Sequence, residues 1–179
     1  MNAPEPFVKD FCFFFEDDLY ALFVDVYSSS DAMSEVLADK YPDPQSLGRN
    51  LATIKNLPGA VTLAVEIDRK PVAYVIVQPR DQARLRHTAD LSMGVARSMR
   101  GHGLGQIVLR AALDRIRAAS VIEIVYLMVR SDNVPAIRLY EKTGFETVAV
   151  LDRDTKIGDA YFDGILMKKH SPLKNQGNT

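Results

Sequence analysis

The stretch that decides the fold is Ser98-Met99-Arg100-Gly101-His102-Gly103-Leu104-Gly105-Gln106. It follows a β-rich run, Thr88 to Val95, and precedes an amphipathic pattern that continues to about Ala119. The stretch therefore joins a strand to the first turn of a helix, where backbone N–H groups are unpaired and the helix dipole is positive. Its glycines let the backbone approach an anion closely, and Arg100 adds a cation. This arrangement predicts a phosphate-binding loop.

Two common phosphate loops do not fit this stretch. The nucleoside-triphosphate loop ends in Gly-Lys-Ser or Gly-Lys-Thr, which the stretch lacks. The dinucleotide fingerprint needs glycines at positions 1, 3 and 6, whereas Gly101, Gly103 and Gly105 stand at positions 1, 3 and 5. Its acidic residue after the next strand is also absent, because Arg130 follows Val129. Neither of these two loops therefore fits the stretch well.

A second informative segment follows one strand later. The run Ile122 to Val129 is continuously apolar, which is typical of a central strand buried on both faces. After it comes Asn133-Val134-Pro135-Ala136-Ile137-Arg138-Leu139-Tyr140-Glu141-Lys142-Thr143-Gly144-Phe145. This segment predicts a short helix over Val134–Lys142 that ends at Gly144. The two segments thus flank one strand–helix–strand unit.

Together the two segments resemble the motifs of the GNAT superfamily of N-acetyltransferases. Arg100, Gly103 and Gly105 match its Arg/Gln-x-x-Gly-x-Gly/Ala loop. The matches to its Asn-x-x-Ala-x-x-x-Tyr-x-x-x-Gly-Phe helix are Asn133, Ala136, Tyr140, Gly144 and Phe145. The resemblance covers about Val61 to Lys168 in element order. It implies an α/β fold with a mixed, mostly antiparallel central sheet and flanking helices.

The apolar patterns outside the motifs predict further elements of such a fold. Helices are predicted over Glu16–Ser28 and from Pro44 or Gln45 to about Asn56. The predicted strands are Phe7–Phe15, Ala60–Ile67, Pro71–Val77, Phe145–Leu151 and Tyr161–Lys168. We expect a single N-acetyltransferase domain over residues 1–170 and a polar C-terminal tail over residues 171–179.

The resemblance implies acetyl-CoA as co-substrate and gives roles to individual residues. The pantetheine arm would lie in a gap between the strand before the loop and the strand after the helix. Met93, Gly94 and Val95 would offer backbone groups to the pantetheine amides and the acetyl carbonyl. Asn133 would hydrogen-bond the arm, and Ala136 would give it room. The pyrophosphate would be held by the backbone of Arg100, Gly101, His102, Gly103, Leu104 and Gly105, and the five arginines of residues 97–117 suit a ligand with several phosphate charges.

The resemblance also implies direct attack of a neutral amine on the thioester, with no metal. Tyr140 would protonate the leaving thiolate as general acid. Relatives that acetylate protein N-termini carry a Glu that acts as general base at the position of Met128. Relatives that acetylate phosphinothricin-like amino acids carry such a Glu at the position of Asp90. Asp90 could act directly or through one water, and a water relay without a single base is the alternative. Weaker candidates for the base are Glu66, His87 and Glu123.

Composition limits the partners and the compartment. The 179 residues include 22 Lys and Arg against 23 Asp and Glu, a net charge of −1, so no overall basicity indicates nucleic acid. No apolar run approaches the roughly 18 residues of a membrane span, and the N-terminus lacks a signal-peptide layout. Cys12, the single cysteine, is expected to be buried, and the three histidines lack metal-ligand spacing. We therefore expect a cytoplasmic protein with no nucleic-acid, membrane or metal partner.

The charge is unevenly distributed along the chain. Residues 1–46 hold ten acidic and two basic side chains, a charge of −8, and the remaining residues carry +7. In the GNAT superfamily the first two helices and their loop usually shape the acceptor pocket. The resemblance therefore implies a cationic or amino-acid-like small-molecule amine as acceptor. The alternatives are an idle acyl-CoA-binding or regulatory module, a protein Lys or N-terminal acetyltransferase, and a nucleotide-binding domain, and a homodimer through the C-terminal strands is also open.

Overall fold

A twisted sheet forms the centre of the protein. In the computed structural model, which describes residues 5–30, 32–33 and 35–171, the sheet has seven strands. They are β1 (Phe7–Asp10), β2 (Val61–Ile67), β3 (Lys70–Pro79), β4 (Thr88–Val95), β5 (Ile124–Arg130), β6 (Glu146–Ile157) and β7 (Ala160–His170). Residues 172–179 of the expected tail lie outside the described part of the chain.

The strand order explains why the sheet is mixed. The order is β1–β2–β3–β4–β5–β7–β6, and within the described chain every neighbouring pair except β4–β5 is antiparallel. The β2–β3 hairpin turns through Asp68 and Arg69, whose φ angles of 49° and 66° are typical of a tight left-handed turn. The parallel pair β4–β5 is joined by a helix, as a crossover requires. The expected mixed, mostly antiparallel sheet is confirmed.

Helices cover both faces of the sheet. The helices of the described chain are α1 (Glu16–Ser28), α2 (Leu37–Lys40), α3 (Pro44–Lys55), α4 (Leu104–Ala119) and α5 (Val134–Lys142). The N-terminus of α3 is stabilised by its own sequence, because Asp43 and Ser46 form a reciprocal capping box and Pro44 occupies the first turn. None of the helices in the described residues is long and apolar enough to cross a membrane.

Alternation along β4 divides its side chains between two cores. Ala89 and Leu91 join the core that α4 forms with the sheet. The opposite face carries Asp90 and its alternating neighbours, and there α1 and α3 pack over Tyr74 of β3. The ring of Tyr74 stacks on Phe23 of α1 with centroids 4.2 Å apart. Each face of the central strands therefore meets a different set of helices.

Two predictions from apolar runs were wrong. The run at the N-terminus leaves the sheet after Asp10 and forms a short 3₁₀ helix over Phe11–Phe13, so Cys12 is exposed rather than buried. Strand β5 is not buried on both faces, because Met128 keeps 41% of its surface exposed and lines a cavity. The last two strands are also longer than predicted. In each case the neighbouring elements, not the local apolar content, decide burial.

Candidate active site

The sheet opens between its two parallel strands. β4 and β5 pair only where Thr88–Asp90 meets Ile124–Tyr126. Beyond Asp90, β4 stays with β3 as far as Val95 and β5 stays with β7 as far as Arg130, so the two strands part. Backbone N–H and C=O groups that would have joined them are left facing a cavity of 1140 Å³. Met93, Gly94 and Val95 line this cavity.

The N-terminus of α4 forms one end of the cavity. Within the described residues, no acceptor meets the backbone N–H groups of residues 101–105. Gly101 and Gly103 have φ angles of 80° and 77°, which side chains rarely adopt, and an added Cβ at either would meet nothing within 4 Å. Gly101, Gly103, Leu104 and Gly105 line the cavity. The loop is therefore a concave row of unpaired donors that opens onto free space and suits an anion.

The side chains of Arg100 and His102 in this loop form hydrogen bonds with neighbouring groups of the protein. The guanidinium of Arg100 donates to the carbonyl oxygen of Val95 at 3.1 Å and to the hydroxyl of Ser29 at 2.6 Å. Arg100 lines the cavity, but its donors tie the loop to the end of β4 and to α1. The exposed ring of His102 has Nδ1 2.9 Å from the carbonyl oxygen of Arg100 and is not among the cavity residues. The backbone thus dominates this end of the site.

Two further glycines allow close packing around the opening. A Cβ on Gly94 would lie 2.6 Å from a methyl group of Val26 and 2.7 Å from the ring of Tyr74, so only glycine fits there. A Cβ on Gly105 would lie 3.3 Å from Leu139, where α4 approaches α5. Gly94 lets α1 approach the cavity floor.

Helix α5 supplies the residues on the side of the opening next to β5. The side-chain oxygen of Asn133 caps α5 by accepting from the N–H of Ala136 at 3.4 Å. Its amide NH₂ has no partner among the described residues, and both residues line the cavity. Further along the same helix, Tyr140 also lines the cavity. Its ring packs edge-on against Phe145, with ring centroids 5.8 Å apart. Burial raises the pKa of Tyr140 to about 12, so its hydroxyl keeps its proton at neutral pH.

Asp90 marks the point where the strands part. Its carboxylate accepts two hydrogen bonds from Arg80, Nε to Oδ2 at 2.9 Å and Nη2 to Oδ1 at 2.7 Å. These bonds raise the pKa of Arg80, and the guanidinium also lies 5.0 Å from the ring centre of Tyr126. All three side chains line the cavity, and that of Asp90 is 56% exposed. Each carboxylate oxygen retains a lone pair for another donor.

Side chains from distant elements form the other wall of the cavity. Tyr27, Met33, Glu35 and Lys40 line it from α1 and the segment after it. Among the described acidic residues of 5–46, Glu35 alone lines the cavity, and it is paired with Lys40. The described acidic residues of this segment therefore bring one carboxylate to the cavity, and Lys40 neutralises it. Elsewhere Asp10 meets Arg115, and Asp25 accepts from the N–H of Arg97.

One carboxylate on this wall stands alone. Asp154 lies in a bulge of β6, where the register with β7 shifts between Leu151 and Thr155, and lines the cavity. A Cβ on Gly164 of β7 would lie 2.6 Å from Asp154 Oδ2, so the absence of a side chain at Gly164 makes room for this carboxylate. Asp154 has no ion pair or hydrogen bond with another described side chain.

One wall of the cavity was predicted from the sequence, and the other was not. Twelve of the thirteen predicted site residues line the cavity, and His102 is the exception. The weaker base candidates Glu66, His87 and Glu123 do not line it, and Glu66 is paired with Lys9 at 2.6 Å. The missed residues include Tyr27, Arg80, Tyr126 and Asp154. Within the described residues no group of three His, Cys, Asp or Glu side chains could hold a metal ion.

The fold and cavity define an α/β protein whose sheet splits beside a helix N-terminus with unpaired N–H groups. The sequence profile of the acetyltransferase (GNAT) family matches residues 17–145. The chain belongs to this family, which confirms the resemblance seen in its two motifs.

Individual relatives and one solved structure agree. An N-alpha-acetyltransferase of Sulfurisphaera tokodaii is 33% identical over 102 residues, 51% of this chain and 60% of the relative. The L-amino acid N-acetyltransferase AaaT of Escherichia coli is 28% identical over 89 residues, 50% of this chain and 55% of the relative. The chain thus spans little more than half the length of these curated relatives. YncA of Salmonella typhimurium, solved with its cofactor acetyl-CoA, shares the fold with a TM-score of 0.82 and 17% identity over 97% of this chain and 98% of that one.

Proposed function

We propose that residues 1–170 form an acetyl-CoA-dependent N-acetyltransferase domain that acetylates a primary amine. The observation that carries this proposal is the parting of β4 and β5 beyond Asp90, which opens onto the unpaired N–H groups of residues 101–105. The N-acetyltransferase activities of the two relatives and the cofactor in the YncA structure support it. A cytoplasmic location and a homodimer stay predictions.

The cavity suits the shape and charge of acetyl-CoA. The unpaired backbone edge of Met93–Val95 offers hydrogen bonds along an extended arm, as a neighbouring strand would. The donors at residues 101–105 would hold the pyrophosphate, in the open space before Gly101 and Gly103. The free amide NH₂ of Asn133 can meet a carbonyl of the arm from the opposite side. Acetyl-CoA supplies the activated acetyl group, and these residues position it.

Tyr140 has the properties of a general acid for the leaving thiolate. Its hydroxyl is protonated because burial raises the pKa to about 12. No described residue hydrogen-bonds this hydroxyl, although the side chain lines the cavity. The hydroxyl is not one of the fully buried unpaired polar atoms of the described chain, so it is accessible from the cavity and can donate to an atom of the ligand. We assign to Tyr140 the delivery of a proton to sulfur as the carbon–sulfur bond breaks.

Asp90 is the proposed base, and it lies on the other face of β4. Alternation turns Asp90 away from the α4 core that contains Ala89 and Leu91. Base and acid would thus approach the reacting carbon from opposite faces of the sheet. Arg80 donates one hydrogen bond to each carboxylate oxygen of Asp90, and each oxygen keeps a free lone pair. Through these lone pairs Asp90 would take the proton of the amine, directly or through one water.

The acceptor wall favours an amine that carries a positive charge elsewhere in the molecule. Among the lining side chains, the ion pairs Glu35–Lys40 and Arg80–Asp90 are locally neutral, and Asp154 adds an unpaired carboxylate that can attract a cation. Exposed Met128 adds an apolar surface to the same cavity. We therefore propose a cationic or amino-acid-like small molecule as acceptor, and a protein N-terminus as the second candidate because of the Sulfurisphaera relative.

The test is release of free thiol from acetyl-CoA across polyamines, aminoglycosides, amino acids and short peptides. Amine-dependent release is expected, and the strongest substrate class identifies the acceptor. A titration of acetyl-CoA by calorimetry accompanies the assay. Binding without release for every amine would indicate an idle acyl-CoA-binding module, and no binding would contradict the assigned cavity.

A further inference from the structure

Polar contacts tie the last turn of α1 to the segment that leads into the glycine-rich loop. The carboxylate of Asp25 accepts a hydrogen bond of 2.6 Å from the backbone N–H of Arg97. The guanidinium of Arg100 donates to the carbonyl oxygen of Ser29 at 3.0 Å and to its hydroxyl at 2.6 Å. Because 71 residues separate Ser29 from Arg100, this is a tertiary link between two elements.

The guanidinium of Arg100 is engaged on all three of its nitrogens. Besides the two bonds from Nη1 and Nη2 to Ser29, its Nε donates to the carbonyl oxygen of Val95 at 3.1 Å. A guanidinium is rigid and planar, so three engaged nitrogens fix its orientation. The direction of this side chain is therefore set by the end of β4 and by α1.

The charge of Arg100 also complements the end of α1. The last turn of α1 contains no basic residue of its own. The carbonyl groups at the C-terminal end of a helix carry partial negative charge and are stabilised by a nearby cation. Arg100 supplies this cation from another element and donates charge-assisted hydrogen bonds to Ser29, the residue that follows the helix.

The end of α1 is held more by these polar contacts than by burial. Val26 packs directly on the backbone of β4, because a Cβ on Gly94 would lie 2.6 Å from one of its methyl groups. After Val26, residues 27–30 are half-buried or exposed. Few apolar contacts therefore fix the position of this turn, and the loss of polar contacts would allow it to move.

The same turn carries the first part of the acceptor wall. Tyr27 lines the main cavity immediately before the link at Ser29, and Met33 and Glu35 line it after the link. The position of Ser29 therefore helps to determine where these side chains stand. A displacement of about 1 Å in groups that position a substrate can greatly reduce a reaction rate.

We propose that Arg100 is a positioning residue for the amine, because its guanidinium holds the last turn of α1 and thereby the acceptor wall in place. This inference rests on the proposed function, since it uses the two walls assigned above. Arg100 acts through Ser29 and does not itself touch the amine. The donors assigned to the pyrophosphate are backbone N–H groups, so removal of the Arg100 guanidinium leaves them present.

The experiment measures the kcat and KM for the amine, and the calorimetric affinity for acetyl-CoA, in the same variants. The amine is spermidine, or the best substrate of the thiol-release panel if spermidine is not acetylated. Arg100→Met keeps an apolar stem and removes the guanidinium, so it should raise the KM about tenfold. The kcat at saturating amine and the affinity for acetyl-CoA should stay within about twofold of the wild type.

Arg97→Met is the matched control for charge. It removes an arginine from the same segment, but the bond to Asp25 uses the backbone N–H, and Arg97 does not line the cavity. This variant should have the KM of the wild type.

Two further variants test whether Arg100 acts through Ser29. Arg100→Lys can still donate to Ser29 with one ammonium group, so its KM should rise only about threefold. Ser29→Ala should also raise the KM about threefold, but it should add little to Arg100→Met, because the hydroxyl has then already lost its donor.

Three outcomes would overturn this inference and leave the proposed function intact. The first is a loss of acetyl-CoA affinity in Arg100→Met with an unchanged KM, which would make Arg100 a cofactor ligand. The second is an equal rise in KM in Arg97→Met, and the third is full additivity of Ser29→Ala and Arg100→Met. If Arg100→Met does not fold, Ser29→Ala decides, and a wild-type KM there would overturn the inference. A wild type that binds no acetyl-CoA or acetylates no amine would overturn both proposals.

Discussion

The two walls of the main cavity are built in different ways. The wall that would meet the cofactor consists of backbone: the unpaired edge of Met93–Val95, the N–H groups of residues 101–105 and glycines that keep the backbone accessible. The opposite wall consists of side chains from separate elements, such as Tyr27 of α1, Arg80 after β3 and Asp154 of β6.

This difference separates two kinds of recognition. Backbone donors are present whatever the side chain, so a backbone wall is altered by few substitutions, chiefly those of its glycines. A wall of side chains can change one residue at a time without disturbing the fold. We therefore expect substitutions on the first wall to change the affinity for acetyl-CoA, and substitutions on the second to change the KM for the amine.

The largest effect is expected for Gly103→Asp on the backbone wall. The substitution places a carboxylate in front of the donors proposed for the pyrophosphate and forces a non-glycine residue to a φ of 77°. The affinity for acetyl-CoA, measured by calorimetry, should fall more than about 100-fold through like-charge repulsion and lost donors.

Gly158→Asp is the matched control for backbone strain. Gly158 lies in the β6–β7 turn with a φ of 59°, has no neighbour within 4 Å of an added Cβ and is outside the cavity. This variant should bind acetyl-CoA like the wild type. If Gly103→Asp also bound acetyl-CoA with the wild-type affinity, the loop would not be part of the binding site.

The next effect is expected for Tyr140→Phe, which keeps the buried ring and removes the hydroxyl. The kcat should fall about 100-fold, as for loss of a general acid, while the affinity for acetyl-CoA stays unchanged. Steady-state kinetics and calorimetry measure the two quantities. Tyr161→Phe, which alters an exposed tyrosine outside the cavity, should change neither. A Tyr140 variant with normal kcat would leave only a packing role for this residue.

A smaller loss is expected for Asp90→Asn at the junction of the two walls. The kcat should fall about tenfold, because an amide does not accept a proton from the amine. Asp81→Asn, at an exposed position outside the cavity, is the control. Arg80→Gln separates chemistry from structure, since it breaks the same ion pair and keeps the carboxylate. An equal loss in Arg80→Gln would show that Asp90 acts by holding the strand junction rather than as a base.

The backbone wall could be predicted because its residues are contiguous. The turn at Gly101–Gly105 and the end of α5 at Gly144 are local features, and helices α1 and α4 follow from apolar spacing. The parting of β4 from β5 came from the family resemblance, not from the pattern. The apolar runs around Cys12 and Met128 were misread because their exposure depends on where neighbouring elements end.

The side-chain wall could not be predicted for a physical reason. Arg80 meets Asp90 across ten residues through the antiparallel register of β3 and β4. Asp154 reaches the cavity only because a bulge shifts the register of β6 and because Gly164 leaves room above β7. A slip of one residue would turn these side chains to the other face, and no local pattern indicates the bulge.

A modest effect is expected for Asp154→Asn on the side-chain wall. Loss of the unpaired carboxylate should raise the KM for cationic amines about fivefold at low salt, with kcat and acetyl-CoA affinity unchanged. The effect should shrink as ionic strength rises, because salt screens this exposed charge. Asp152→Asn, an exposed carboxylate of the same bulge outside the cavity, is the control. An equal rise in KM for neutral amines would contradict recognition of charge.

The last prediction is that the contribution of Tyr140 to kcat does not change with pH up to about 10. An ordinary tyrosine ionises near 10.0, but burial raises the pKa of Tyr140 to about 12. The raised pKa means that the protonated, donating form persists as the pH rises through 10, and is lost only on approach to 12. The ratio of wild-type kcat to that of Tyr140→Phe should therefore stay constant between about pH 7 and pH 10. A ratio that falls through this range would show that the Tyr140 hydroxyl ionises near pH 10 like a solvated tyrosine. The proposed acid of the cofactor wall would then not be shielded from water.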